Sequence, residues 1–489
     1  MLNKGIEFSE GGIRFMAKIL LLFGIILIIS VLSSKLLYKY GVPTLLIFLT
    51  LGMLLGSDGL GGIYFDNSIL TQQISTIGLV FIMFYGGFGL NWKTAKPIAI
   101  QSILLSTIGV ALTALLVGIF SYYILDITFI EGMLLGSIVS STDAASVFSI
   151  LRSKKLSLKD GLASMLEMES GSNDPMAYML TIVMISILTN TGQQSIIVLI
   201  SKQIIFGSII GFIVAEVSIL ILKHVPFEID GLYPIFIISI ILLGYSISEY
   251  IGGNGFLSVY IIGIIVGNKK IPHKISMVHF FDGISWLMQI ALFFTLGLLV
   301  FPSQLPSVFV NGLSIAIFMV IVARPIAVMS ILSWFKIPLK HQIFVSWVGL
   351  RGAASIVFAT YAMTNQLHIA NDIFNTVFFI SLFSLVVQGT LIPKIAKKLD
   401  LVESGSSIYK TFNDFQDEVH TELLEFYIDN NCSWVNNTLM EANIPEEVLV
   451  VMIKRKGEIV IPKGSSTIKS GDTLVLAANN HDILNNMFK

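Results

Sequence analysis

The sequence predicts an all-α polytopic membrane protein of about 13 transmembrane helices, with inverted repeats and broken helices, followed by a small α+β cytoplasmic C-terminal domain. Three observations carry this expectation. Of 489 residues, 54% are hydrophobic and only 12% charged, a balance too apolar for a water-soluble globular chain. The first 399 residues contain thirteen apolar stretches, most of them near the ~20 residues that cross a hydrocarbon core. The last ninety reverse the charge: residues 1–399 hold 23 basic and 17 acidic groups, residues 400–489 hold 7 and 14. The division is therefore a transmembrane domain over 15–398, a linker over 399–420 and a cytoplasmic domain over 421–489.

The stretches run roughly over 16–37, 42–56, 71–90, 97–125, 130–151, 160–190, 195–222, 232–250, 255–267, 279–301, 307–333, 340–365 and 371–396. The second and ninth are short enough to be tilted or broken. Alternate connections collect basic residues, seventeen in all: Lys35 and Lys39; Lys93 and Lys96; Arg152, Lys154, Lys155 and Lys159; Lys223; Lys269, Lys270 and Lys274; Lys336 and Lys340; Lys394, Lys397 and Lys398. The intervening connections, such as 57–70 and 363–371, hold none. Short cytoplasmic loops collect Lys and Arg, so the N-terminus is expected outside and the acidic tail inside. Lys4, Arg14 and Lys18 oppose that orientation but are outnumbered.

Several classes of function are excluded. Basic and acidic residues nearly balance, 30 against 31, which leaves no electrostatic footprint for nucleic acid. Cys432 stands alone and can form neither an intrachain disulfide nor a cysteine metal site. No phosphate loop and no G-x-G-x-x-G fingerprint occurs, so any transport is secondary and the chain is not an enzyme.

The chemistry concentrates in the sixth stretch, which reads Glu167-Met-Glu169-Ser170-Gly-Ser-Asn173-Asp174-Pro175. An intramembrane charge costs about 2.5–3.5 kcal/mol on insertion scales, so three acids in one span need a purpose. At helical spacing Ser170 and Asp174 share one face, and Glu169 and Asn173 share another. One stripe is suited to holding an ion while its neighbour anchors the helix. Pro175 lacks an amide hydrogen and leaves the Gly171 carbonyl without its helical donor. The fifth stretch carries Ser140-Ser-Thr142-Asp143-Ala-Ala-Ser-Val, and the twelfth carries Gly349-Leu-Arg351-Gly352-Ala-Ala-Ser-Ile. These interruptions fall in stretches that run in opposite directions, the sign of an inverted-topology repeat with ion-binding broken helices. Arg324, in Ala-Arg-Pro of the eleventh stretch, requires an acidic partner, either Glu169 or Asp143. With Glu169 as partner, Asp174 is left to bind a proton or a cation. Arg351, near the start of the twelfth stretch, has the cytoplasmic surface as an alternative position and is divided evenly between a gating and a structural role. Lys202, Glu216 and Glu249 read as interfacial, and His224, His273, His279 and His341 as loop histidines.

These motifs resemble those of the bacterial monovalent cation:proton antiporters, over about residues 15–398. Glu169-Ser170-x-x-Asn173-Asp174-Pro175 is similar to the E-S-x-x-N-D-P motif of that family. Thr142-Asp143 is similar to the family's threonine-aspartate at the crossing of its unwound helices, and Ala323-Arg324-Pro325 and Gly349-Leu350-Arg351-Gly352 are similar to two further family segments. The resemblance implies that Asp174, Ser170 and Asp143, with the Thr142 carbonyl, bind the dehydrated cation, and that Glu169 and Arg324 form a structural ion pair. It also implies that Asn173 marks an electroneutral branch exchanging K+ or Na+ for H+ across the plasma membrane, as a homodimer surrounded by lipid. One position departs from the pattern: many relatives have an acid before the paired glycines of the third helix, where this chain has Tyr85.

The tail reads as strand, helix and three strands over 422–428, 433–442, 448–455, 458–461 and 473–477. It resembles the C-terminal lobe of regulator-of-potassium-conductance modules (RCK-C or TrkA-C-like), whose pairs bind a small ligand, often a cyclic dinucleotide. That potassium-linked tail also suggests an alternative, a ligand-gated monovalent cation channel. No carbonyl filter such as T-V-G-Y-G appears in support of it.

Overall fold

The computed structural model describes residue 17 and residues 20–32, 45–154, 156–189, 195–403, 422–429, 432, 434–442, 444, 448–455 and 458–478. The N-terminal basic residues Lys4, Arg14 and Lys18, the Lys35–Lys39 connection and most of the 399–420 linker lie outside them. The chain divides into two compact units, Met1–Tyr409 and Lys410–Lys489.

In the first unit every apolar stretch has a helical counterpart. These are α1 (Leu20–Leu32), α2 (Leu45–Leu55), α3 (Ser68–Gly89), α4 (Trp92–Leu125), the broken pair α5 (Phe129–Val139) and α6 (Ala144–Ser153), and α7 (Leu162–Leu188). There follow α8 (Ile196–His224), α9 (Leu232–Tyr250), α10 (Gly255–Gly267), α11 (Lys274–Leu299), α12 (Pro302–Phe335), the broken pair α13 (Leu339–Trp347) and α14 (Ala353–Thr364), and α15 (Ala370–Lys398). Two bundles result. Helices α2, α3 and α8–α11 pack on one another, as do α4–α7 and α12–α15. The second bundle contains both broken pairs. Each of its halves opens with a helix that widens into a turn of π-helix, Leu105–Gly109 in α4 and Met319–Ala323 in α12.

The breaks follow from local chemistry. Ser140, Ser141, Thr142 and Asp143 carry side chains that compete for backbone hydrogen bonds, and Asp143 ends the gap by capping α6, its Oδ1 accepting from the Ser146 amide at 3.2 Å. Val348–Gly352 separates α13 from α14, and Gly352 there is extended at φ −127°. By contrast, α7 continues through Pro175 for 27 residues. The Asn254 side-chain amide, at the start of α10, donates to the Pro175 carbonyl at 2.8 Å, a tie between the two bundles.

Past α15 the chain turns back onto the loop that precedes α7. Leu158 and Val402 form an antiparallel bridge, with Lys159 N–H donating to Leu401 O and Glu403 N–H to Ser157 O, each at 3.0 Å. Leu158 and Leu401 are buried in the same apolar cluster.

The second unit is a four-stranded antiparallel sheet of order β1-β4-β2-β3, with β1 (Glu422–Tyr427), β2 (Val448–Arg455), β3 (Glu458–Val460) and β4 (Thr473–Ala478). Ile428, Ala442, Ile453, Ile468, Leu474 and Leu476 form its core. The helix expected over 433–442 is not present in the described part, 434–442, which consists of turns and an isolated bridge from Thr438 to Thr467. The reason lies in the backbone donors. Asn436, Leu439 and Met440 donate to Ile468, Ser466 and Gly464, so the amides point to a neighbouring segment rather than four residues back. Asn436 also adopts a left-handed φ of 69°, incompatible with a continuing helix.

Candidate functional site

The two unwound segments cross at mid-bundle and hold each other. Asp143 N–H donates to Leu350 O at 2.8 Å, and Arg351 Nη1 donates to Ser141 O at 2.7 Å. A guanidinium thus sits at the carbonyl end of α5 and a carboxylate at the amide end of α6, the signs that complement the two helix dipoles. Arg351 is completely buried, and its backbone amide donates to Ser384 Oγ at 3.0 Å. Its alternative position at the cytoplasmic surface is thereby corrected: the crossing carbonyls, with no lipid partner available, draw the guanidinium inward.

Helix α7 passes beside the crossing and presents two stripes. On the deeper one, Glu169 is 1% exposed and receives a hydrogen-bonded ion pair from Arg324 Nη2, itself 2% exposed. Arg324 therefore pairs with Glu169 and not with Asp143. Asn173, fully buried, donates from Nδ2 to Thr142 Oγ1, while its Oδ1 has no hydrogen-bond partner. A cavity of about 10 Å³ touching Thr142, Glu169, Ser170 and Arg324 has room for one water.

The second stripe faces outward from the first. Ser170 Oγ donates to Thr142 O at 2.7 Å and accepts from Ala144 N–H at 2.9 Å, which fixes α7 to the unwound segment. Asp174 is half-buried, and its Oδ1 accepts from Ser141 Oγ. Among the described residues no basic side chain pairs with Asp174 or Asp143. The Asp143 carboxylate takes both the amide and the hydroxyl of Ser146, the latter at 2.6 Å. Asp174, Ser170, Thr142, Asp143 and Asn173 are thus brought to one place, with Asp174 the less committed of the two acids. Such an acid can hold a proton or a small cation but not keep its charge unaccompanied.

Sequence reasoning gave no individual role to three participants, Ser141, Gly349 and Asp282. Ser141 is the hydroxyl on Asp174, and its only signal was its place in a Ser-Ser-Thr-Asp run. Gly349 seats Arg324, since a Cβ there would stand 2.7 Å from Nε. At the Tyr85 position, the hydroxyl donates to Asp282 of α11 at 2.9 Å, so that helix brings a carboxylate to the side chain replacing the expected acid. Glu216 and Lys269 lie 3.9 Å apart on exposed surface.

Among the described residues no group of three or more His, Cys, Asp and Glu side chains suits a bound metal. In the C-terminal unit Arg455 makes a two-pronged pair with the buried Asp472, both contacts at 2.7 Å.

The transmembrane sodium/hydrogen exchanger model matches residues 22–398, and the TrkA-C domain model matches 423–488. The chain is 34% identical over 469 residues to the K(+)/H(+) antiporter NhaP of Alkalimonas amylolytica, covering 95% of this chain and 82% of that one. It is 34% identical over 471 residues to the K(+)/H(+) antiporter NhaP2 of Shewanella sp. (strain ANA-3), covering 94% and 81%. The fold is similar to that of the sodium proton antiporter MjNhaP1 from Methanocaldococcus jannaschii, with a TM-score of 0.69 and 24% identity over 77% of this chain and 97% of that chain.

Proposed function

This chain belongs to the sodium/hydrogen exchanger family, and we propose that within it the protein exports cytoplasmic K+ in electroneutral exchange for an external proton, with Na+ as the competing substrate. It is a multi-pass membrane antiporter, not an enzyme. The observation that carries the reading is the asymmetry between two acids of α7: Glu169 is matched by Arg324, whereas Asp174 accepts from a hydroxyl and, among the described residues, pairs with no basic side chain. A proton and a dehydrated K+ compete for Asp174, and competition for one site is enough for obligatory exchange. When K+ is bound, Asp174 supplies the charge, and Ser170, Asp143 and the Thr142 carbonyl are placed to supply further oxygens. Asn173 occupies the place of a second acid without adding charge, which supports one-for-one exchange. Potassium is preferred on the printed function of the NhaP and NhaP2 relatives.

Our reading places the protein in the plasma membrane as a homodimer, with the N-terminus outside and the C-terminal domain in the cytoplasm, joined by the 399–420 linker. The TrkA-C domain is a regulatory lobe for a small ligand, a cyclic dinucleotide being the leading class.

The test is proton efflux from acid-loaded proteoliposomes on addition of K+, Na+ or Li+, with and without a valinomycin clamp. Alkalinisation with K+ that ignores the clamped voltage supports the proposal, and Asp174→Asn in a folded protein should abolish it. Tracer K+ uptake with no proton movement would instead establish a channel.

A further inference from the structure

Glu249 closes α9 beside a buried aromatic cluster that the exchange site does not use. Its Oε1 accepts from Gly255 N–H at 2.9 Å, and the Tyr178 hydroxyl reaches its Oε2 at 3.5 Å, a loose hydrogen bond. Among the described residues no basic group lies within ion-pair distance of this carboxylate. The groups around it come from four elements. Tyr178 belongs to α7, Tyr245 to α9 itself and Tyr361 to α14, and α3 adds the Thr76 hydroxyl, 3.0 Å from that of Tyr361. The Tyr178 ring meets Tyr361 at 5.4 Å and Phe256 at 4.8 Å between centroids, forming a lid of edge-to-face aromatic contacts.

Tyr178 stands one helical turn beyond Asp174 on the same face of α7, toward the end that the basic-loop bias puts outside. An acid without a countercharge therefore lies past the lid, joined to the site's own helix by a hydroxyl that can both donate and accept.

We propose that Glu249 is a second, outer proton-binding site, which captures protons from the external side and passes them by way of Tyr178 toward Asp174. The balance is simple. Protonated Glu249 gives its proton to the Tyr178 hydroxyl as that hydroxyl releases one to water on the outward side of Asp174; water delivers it to the Asp174 carboxylate once the cation has left, and Glu249 is reprotonated from outside. The inference rests on the antiporter reading.

Glu249→Gln keeps an oxygen for Gly255 N–H, so the turn into α10 is preserved while the titrating group is lost. Initial exchange rates should be measured in proteoliposomes with the inner solution fixed and the external pH varied, together with the K+ concentration for half-maximal rate on the cytoplasmic side. E249Q should lose about tenfold in rate in alkaline external solution, where captured protons are scarce, and less than about twofold in acidic solution. Half-saturation by K+ should not change. Tyr178→Phe should bend the profile in the same direction, and it carries the test if E249Q fails to assemble. An external-pH profile parallel to wild type in both variants, at full or uniformly reduced rate, overturns the proposal. Absence of exchange in the wild-type vesicles would count against the antiporter reading itself, which keeps the two failures apart.

Discussion

Gly352 lies against the carboxylate of Asp143 so closely that a methyl group on it would overlap Oδ2. The contact is steric rather than conformational, since Gly352 has an ordinary extended backbone. Gly352→Ala is expected to push Asp143 off the Ser146 cap and spread the crossing, reducing exchange at least about tenfold in a protein that still assembles. Gly86→Ala is the control: a methyl group there meets nothing within 4 Å, and its rate should stay within about twofold of wild type. Proteoliposome exchange rates check both.

Glu169 and Arg324 are both almost fully buried, so removing either partner strands a charge. Glu169→Ala should destabilise the membrane unit by about 3–5 kcal/mol, and the double replacement Glu169→Met with Arg324→Met should recover most of that loss. Thermal unfolding in detergent of the single and double variants measures the difference. If the double variant is no better than the single one, the ion pair is not the cause.

The join between α15 and the tail predicts that truncations four residues apart differ. Stopping after Glu403 keeps Leu401 in its pocket and preserves the bridge to Leu158; stopping after Leu399 removes both. The shorter chain should lose roughly 2–3 kcal/mol relative to the longer one, the value of one buried leucine. The longer chain should exchange ions at near the full rate with an altered response to pH or ligand. Melting temperature and exchange rate together decide the matter.

Arg455 holds the Asp472 carboxyl below the ordinary range for aspartate, chiefly through its two hydrogen bonds, with the Lys469 amide assisting. A group depressed on folding adds stability above its unfolded pKa and loses it as pH falls through the folded value. The C-terminal sheet should therefore loosen below about pH 4, while Asp472→Asn should weaken it at neutral pH and make little difference in acid. Hydrogen exchange of β2 and β4 in the full chain, followed against pH, reads this directly.

Much of the membrane unit is written in local sequence. Spans appear as apolar runs, and the Glu-Ser-x-x-Asn-Asp-Pro and Thr-Asp segments name their own chemistry because polar groups in hydrocarbon are too costly to be incidental. The choice between Glu169 and Asp143 as partner to Arg324 needed three-dimensional proximity, and so did the hydroxyl of Ser141 on Asp174. The inward position of Arg351 was hidden for a further reason: arginine near a span end usually extends to the surface, and only the crossing carbonyls give it a better place. The segment 434–442 misled because its apolar spacing is compatible with a helix, whereas the amides of Asn436, Leu439 and Met440 are satisfied by Ile468, Ser466 and Gly464, far along the chain.

The Asn254 amide on the Pro175 carbonyl makes the residue after Asp174 a fastening point between neighbouring bundles. A hydrogen bond of this kind is worth about 1 kcal/mol net, close to thermal energy. It resists small displacements of α7 and yields to larger ones, acting as a catch rather than a lock. If exchange runs as proposed, Asp174 can shift relative to α10 for the loss of this single weak bond, a tether slack enough for a carrier that alternates its open side.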